Sequence, residues 1–262
     1  MDLDKRGPDT WIGSSANYPM PRVYGGQVIA QGLWAAAQTV DAEFAPHSLH
    51  AYFIRPGMTT EPIRYEVDRL RSGRSFAVRA VVARQSSGAI LQMSCSFQKP
   101  EIDAEVQTAR MPLSPDPEDL PEVLSNWPPI MNRRFLDSYP GAGRSMGWTR
   151  IQEDLGDNPL LHLAGLAFTS DSVQFRAARS IHPLPIPVER HNDYFMGASL
   201  DHAIWFHRQA RADEWHLYEW DCHGLRGARG MTVGNVFTAD GTHVASIAQE
   251  VLLRERKPPP LS

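Results

Sequence analysis

The sequence predicts an α+β protein of two similar halves, in each of which an antiparallel sheet curls round one apolar helix. Three observations carry this. A small-residue apolar stretch at 23–40 is followed by four strand-like runs between 48 and 98. The same succession returns between 159 and 254. Matching pairs then recur at a nearly constant spacing: His50-Ala51 with His202-Ala203, and Phe97-Gln98 with Ala248-Gln249. Order and spacing together point to an internal duplication. A sheet wrapped round its helix buries an almost all-apolar helix without a second layer.

The elements follow in order. Residues 1–22 read as irregular, with recurrent Gly, Pro, Ser and Asn. In Val23–Val40, the residues Val28, Ile29, Leu33, Ala36 and Val40 recur at helical spacing, and Gly25 and Gly26 open the helix. The runs 48–56, 62–71, 75–85 and 89–98 are rich in β-branched and aromatic residues, and Ser86-Ser87-Gly88 is a hairpin signal. Seven of the 21 prolines fall between 100 and 129, which reads as an extended, solvated linker. A short buried helix starts at Pro159, and strands follow at 199–208, 215–223, 230–238 and 242–254. The expected units are 1–100, a linker at 101–132, and 133–262.

Composition narrows the function. The 262 residues are 42% hydrophobic and 21% charged with net charge −4, which excludes wholesale disorder and a generally basic nucleic-acid surface. Cys95 and Cys222 are too few for a disulfide framework, so a reducing compartment is the default. No apolar run approaches the roughly 18 residues of a membrane span, and the N-terminus carries no apolar signal region. The expectation is a cytoplasmic protein without stable membrane insertion or nucleic-acid partner.

Several sites can be set aside. His202 and His207 lie an odd number of residues apart, so on one strand they face opposite sides and share no metal. His223 and Cys222 are adjacent, which argues against a Cys–His dyad. Ser170-Asp171 reads as a cap or turn.

The stretches VYGGQVIAQGL, HSLHAYFIRPG, LRSGRSFAVRAVVARQ and SFQKPE, and later SLDHAIWFHR, ARG and ADGTHVASIAQEVLLR, together resemble the acyl-CoA thioesterase II family. The resemblance implies the double hotdog fold. It also implies hydrolysis of fatty acyl-CoA to free fatty acid and coenzyme A, with no covalent intermediate, cofactor or metal. Homo-oligomers formed through the sheets are expected as well. In that family an Asp, a Ser or Thr, and a Gln hold the attacking water. Carried over, the Asp is Asp201 in the DHAIWFHR run and the Gln is Gln249. The third position falls on His223, or on Cys222 if the register slips by one.

The chemistry of those residues suits the reaction. A carboxylate can take the water's proton, and a Gln amide both donates and accepts. The backbone amides at Gly25 and Gly26 suit a polarised carbonyl oxygen. Gln249 aligns with Gln98 but Asp201 with Leu49, which favours the C-terminal half as the site bearer. Two other readings stay open: a hotdog enoyl or hydroxyacyl thioester hydratase using Asp201 with His223, and a non-catalytic acyl-CoA binding protein.

Overall fold

The computed structural model describes residues 1, 3–123, 130–136, 143–184, 186 and 190–256. The first half begins with two short strands, β1 (Leu3–Gly7) and β2 (Thr10–Gly13). Helix α1 (Gly25–Ala37) follows, then β3 (Ala45–Phe53), β4 (Ile63–Ser72), β5 (Phe76–Gln85) and β6 (Gly88–Gln98). The β1–β2 hairpin corrects the expectation of an irregular N-terminus. Trp11 on β2 is buried and anchors it.

Helix α1 is buried almost all round, as its small apolar residues require. Val28, Ile29, Ala30 and Leu33 fill the core. Its two buried glutamines are satisfied. Gln27 and Gln31 donate to the Ser14 carbonyl, and Gln31 Oε1 accepts the Tyr65 hydroxyl at 2.7 Å. Burial without loss of hydrogen bonds is what lets polar side chains sit there.

The second half adds β7 (Met131–Phe135), β8 (Arg144–Ile151), α2 (Pro159–Thr169), α3 (Gln174–Ser180) and α4 (His191–Tyr194). Strands β9 (Phe195–Ser199), β10 (Asp201–Phe206), β11 (His216–Arg226), β12 (Arg229–Thr238) and β13 (His243–Glu255) complete it. The Asn158 side chain caps α2 by accepting from the Leu160 and Leu161 amides, with Pro159 in the first turn. The expected single strand at 199–208 is broken at Leu200 into β9 and β10.

Among the described residues the strands form one antiparallel sheet of 13, in the order β1-β2-β4-β5-β6-β3-β10-β13-β12-β11-β8-β7, with β9 beside β13. Two separate sheets were expected. They are joined because β3 and β10 pair edge to edge, with His202 opposite Ala51 and Ile204 opposite Leu49. That pairing removes two exposed edges. The strand order reads as a mirror image about the junction. Helices α1 and α2 pack together inside the curl.

The linker is not simply solvated. Its described part crosses the second half. Gln107 bonds Gly241 and His243, Ser114 accepts from Trp148, and Glu118 accepts from Trp215. Residues 124–129 of it lie outside the described residues. No helix among the described residues is long and apolar enough to cross a membrane.

Candidate active site

Polar side chains from several elements meet at the N-terminus of α1. Tyr24, just before the helix, donates its hydroxyl to the Phe168 carbonyl at 2.9 Å, near the end of α2. That contact lays the segment after α2 on the first turn of α1. Gly25 and Gly26 permit the approach. A Cβ on Gly26 would run into the Phe168 carbonyl oxygen, and one on Gly25 would lie 2.5 Å from Asp171 Oδ2.

Asp171, one residue past the C-cap Ser170, is only 7% exposed. Its Oδ1 accepts from Gln249 Nε2 at 2.8 Å, Ser199 Oγ at 2.8 Å and Gln174 Nε2 at 2.9 Å. The carboxylate also takes the Gly26 backbone N–H, a first-turn amide with no acceptor inside its own helix. Burial dominates and pushes the Asp171 carboxyl above the usual carboxylate range. The charge of His202 and the donors just named pull the other way.

Gln249 is fully buried on β13, and its carboxamide bridges two neighbours. Nε2 faces Asp171, while Oε1 lies 2.7 Å from His202 Nδ1. His202 Nε2 is in turn 2.8 Å from Ser170 Oγ. The Gln249 backbone oxygen accepts from Thr232 Oγ1 at 2.9 Å, which fixes the strand beneath. Burial lowers the His202 pKa, so its ring is held towards the neutral form.

The structure places the expected site residues apart. Gln249, Gly25 and Gly26 come to this cluster. Asp201 does not. Its side chain belongs to the outward set of β10 with Ala203 and Trp205, whereas His202, Ile204 and Phe206 face in. Asp201 Oδ1 instead accepts the Glu250 backbone N–H at 2.6 Å, and the Leu200 amide donates to the Glu250 carbonyl. Asp201 thus repairs the ladder where β9 and β10 break. His223 is exposed beside a bulge in β11, and neither it nor Cys222 hydrogen-bonds Asp171, Ser199 or Gln249. Cys222 is half-buried with its thiol pKa raised by burial, and its Sγ lies 3.6 Å from the Gly224 carbonyl.

The residues missed are Asp171, Ser199, His202 and Gln174. Ser-Asp after a helix looks locally like any cap. A usable signal did exist. Alternation along DHAIWF puts Asp201 on the face opposite His202 and Ile204, while alternation along IAQEVLL puts Gln249 with Ile247 and Val251. A carboxylate partner for Gln249 therefore had to come from elsewhere. A cavity of about 250 Å³ near the C-terminus of α1 includes Arg79, whose guanidinium is already committed to Thr39, Arg71, Ser72 and Val78.

Comparison with solved structures gives the class. The chain is similar to an acyl-CoA thioesterase II from Mycobacterium marinum, with TM-score 0.84, 34% identity, and coverage of 99% of this chain and 97% of that one. It also shares its fold with a hotdog protein from Alicyclobacillus acidocaldarius, with TM-score 0.80, 19% identity, and coverage of 98% and 97%. The fold is thus that of a hotdog thioesterase. Residues 15–98 match the acyl-CoA thioesterase N-terminal domain and residues 105–253 its C-terminal domain. Acyl-coenzyme A thioesterase 8 of Homo sapiens is 31% identical over 97% of this chain and 87% of its own length. Acyl-CoA thioesterase 2 of Haemophilus influenzae is 32% identical over 97% and 95%. The chain belongs to the acyl-CoA thioesterase family.

Proposed function

We propose that this chain hydrolyses fatty acyl-CoA to free fatty acid and coenzyme A, with Asp171 rather than Asp201 activating the water. The observation that carries this is the meeting of a carboxylate, a hydroxyl and a carboxamide, Asp171, Ser199 and Gln249, at the start of α1. Those are the three residue types the family resemblance implies. Ser199 supplies the hydroxyl, so no substitution by His223 or Cys222 is needed.

Three donors hold Oδ1, which leaves Oδ2, beside Gly25, to take the proton of the attacking water. The water oxygen bonds to the thioester carbon as Asp171 takes that proton. Carbonyl oxygen charge then grows at the positive end of α1, whose Gly26 amide is held by Asp171. Collapse breaks the C–S bond, and the proton leaves with the thiolate of coenzyme A. The raised pKa makes Asp171 a stronger base than an exposed carboxylate.

The other two readings lose their support. A hydratase using Asp201 and His223 needs those groups together, and they are not. A binding protein was suggested by the absence of a hydroxyl, which Ser199 provides.

The reading includes a double hotdog, with units at 1–100 and 133–262 and a linker at 101–132. The mirrored strand order supports it. The equivalence needs an odd offset at the junction, because inward Leu49 must match inward His202 and outward His50 cannot. Cys95, the partner of Leu49, then stands where Gln249 stands. Gln98 faces the other way and is not its counterpart. Apolar Leu49 and Cys95 leave one polar site. Association through sheet faces fits the exposure of Tyr52 and Trp205 beside the junction. A cytoplasmic location fits two free thiols.

The test is thiol release from acyl-CoA of graded chain length, with a single turnover in ¹⁸O-water. Direct attack puts the label in the product acid. Unlabelled acid in the first turnover would indicate an acyl-Asp171 anhydride opened at the enzyme's carboxyl carbon, and no thiol release at any length would support the binding protein.

A further inference from the structure

The proposed reaction uses Asp171, Ser199 and Gln249, and leaves the fully buried His202 without a task. We infer that His202 is a positioning residue that fixes the direction of the Gln249 carboxamide, so that its N–H₂ rather than its C=O faces Asp171. This rests on the reading of Asp171 as the base.

Donors and acceptors set the direction of the carboxamide. An ionised carboxylate only accepts, so Gln249 must present Nε2 to Asp171 Oδ1 at 2.8 Å. Its Oε1 then faces His202 Nδ1 at 2.7 Å, and that nitrogen must carry the proton. A neutral ring protonated at Nδ1 has only a lone pair at Nε2. Ser170 Oγ lies 2.8 Å from Nε2 and 2.9 Å from the Ala167 carbonyl, and with Nδ1 protonated its single proton turns to Nε2. The chain Ser170–His202–Gln249–Asp171 has one consistent direction. Each bond polarises the next in a dry interior. Without the imidazole, Gln249 Oε1 becomes a buried acceptor with no partner.

The groups facing Asp171 are His202 from β10, the Tyr24 hydroxyl before α1, and the Gly26 amide; His202 also feels Asp201 from its own strand. Without the ring, Gln249 is free to turn its N–H₂ away from Asp171, and the hydrogen bond that favours the ionised carboxylate is lost. The acid limb of the pH profile should then move upward.

The experiment measures kcat, KM and the pH dependence of kcat/KM on one acyl-CoA for His202→Leu, His202→Asn and Asp171→Asn, with folding checked by circular dichroism. An Asn side chain can place an N–H near the position of Nδ1. We expect His202→Leu to lose tenfold or more in kcat with KM within about twofold, and to shift its acid limb to higher pH. His202→Asn should recover most of the rate and the limb. If Asp171→Asn is inactive while folded His202→Leu keeps the wild-type rate and limb, the inference falls and the base assignment stands. Rate loss in both His202 variants without a shifted limb overturns it in favour of core packing, as does His202→Asn matching His202→Leu where the leucine variant is misfolded. Full activity in Asp171→Asn overturns the underlying reading.

Discussion

Asp171 Oδ1 takes hydrogen bonds from three side chains on three elements, a density that an ordinary helix-terminal Asp does not need. The price of that setting is burial, which raises the carboxyl pKa. A base must be ionised to work, so activity is lost as pH falls through the raised value. The acid limb of kcat/KM is therefore expected above the ordinary Asp range of about 4. A limb at or below that range in a pH–rate profile would remove Asp171 from the role. Ser199→Ala removes one of three donors and should cost about tenfold in kcat, since two remain. At this scale the sequence was legible for Gln249, Gly25 and Gly26. It was not for Asp171, because a carboxylate after an apolar helix carries no local mark of the tertiary contact that buries it. Asp201 attracted the role through its neighbours in a motif, although its own alternation points it outward.

The helices and long strands were readable because hydrophobic period and turn chemistry agree. Gly88, with φ of +107°, falls in the hairpin turn that was expected, and Gly241, with φ of +88°, in the turn between β12 and β13. The short strands β1, β2, β7 and β8 were missed. Lys5, Arg6, Arg133 and Arg134 break the apolar alternation, and edge strands tolerate such charge. At the crossing of α1 and α2, the Gly-Gly pair is a matter of distance between backbones. Gly26→Ala should lower stability by about 1–3 kcal/mol through overpacking against the Phe168 carbonyl. It should also move Asp171 off the helix end and depress kcat. Unchanged denaturant midpoint and rate in Gly26→Ala would mean that the close approach is not required.

For the whole molecule, two separate sheets were expected and one continuous sheet was not, since pairing of β3 with β10 is a choice between edges that no local pattern records. Burial also sets an acid sensitivity. His216 is fully buried, bonded through Nδ1 to the Glu214 carbonyl, and its pKa is pushed down to about 4 by burial. A lowered folded pKa means that the unfolded chain binds the proton more readily between pH 6.5 and about 4. Stability is then lost as pH falls through that window, by about 1.4 kcal/mol per unit for this group. His216→Leu should flatten the dependence of the urea midpoint on pH there, and an unchanged slope would contradict the assignment. The central claim, that one buried carboxylate at the helix junction is the base of an acyl-CoA hydrolase, is tested most directly by thiol release from Asp171→Asn and Asp201→Asn side by side. The account predicts a loss of about 100-fold or more in kcat for Asp171→Asn and a rate within a few-fold of wild type for Asp201→Asn; the reverse order would contradict it.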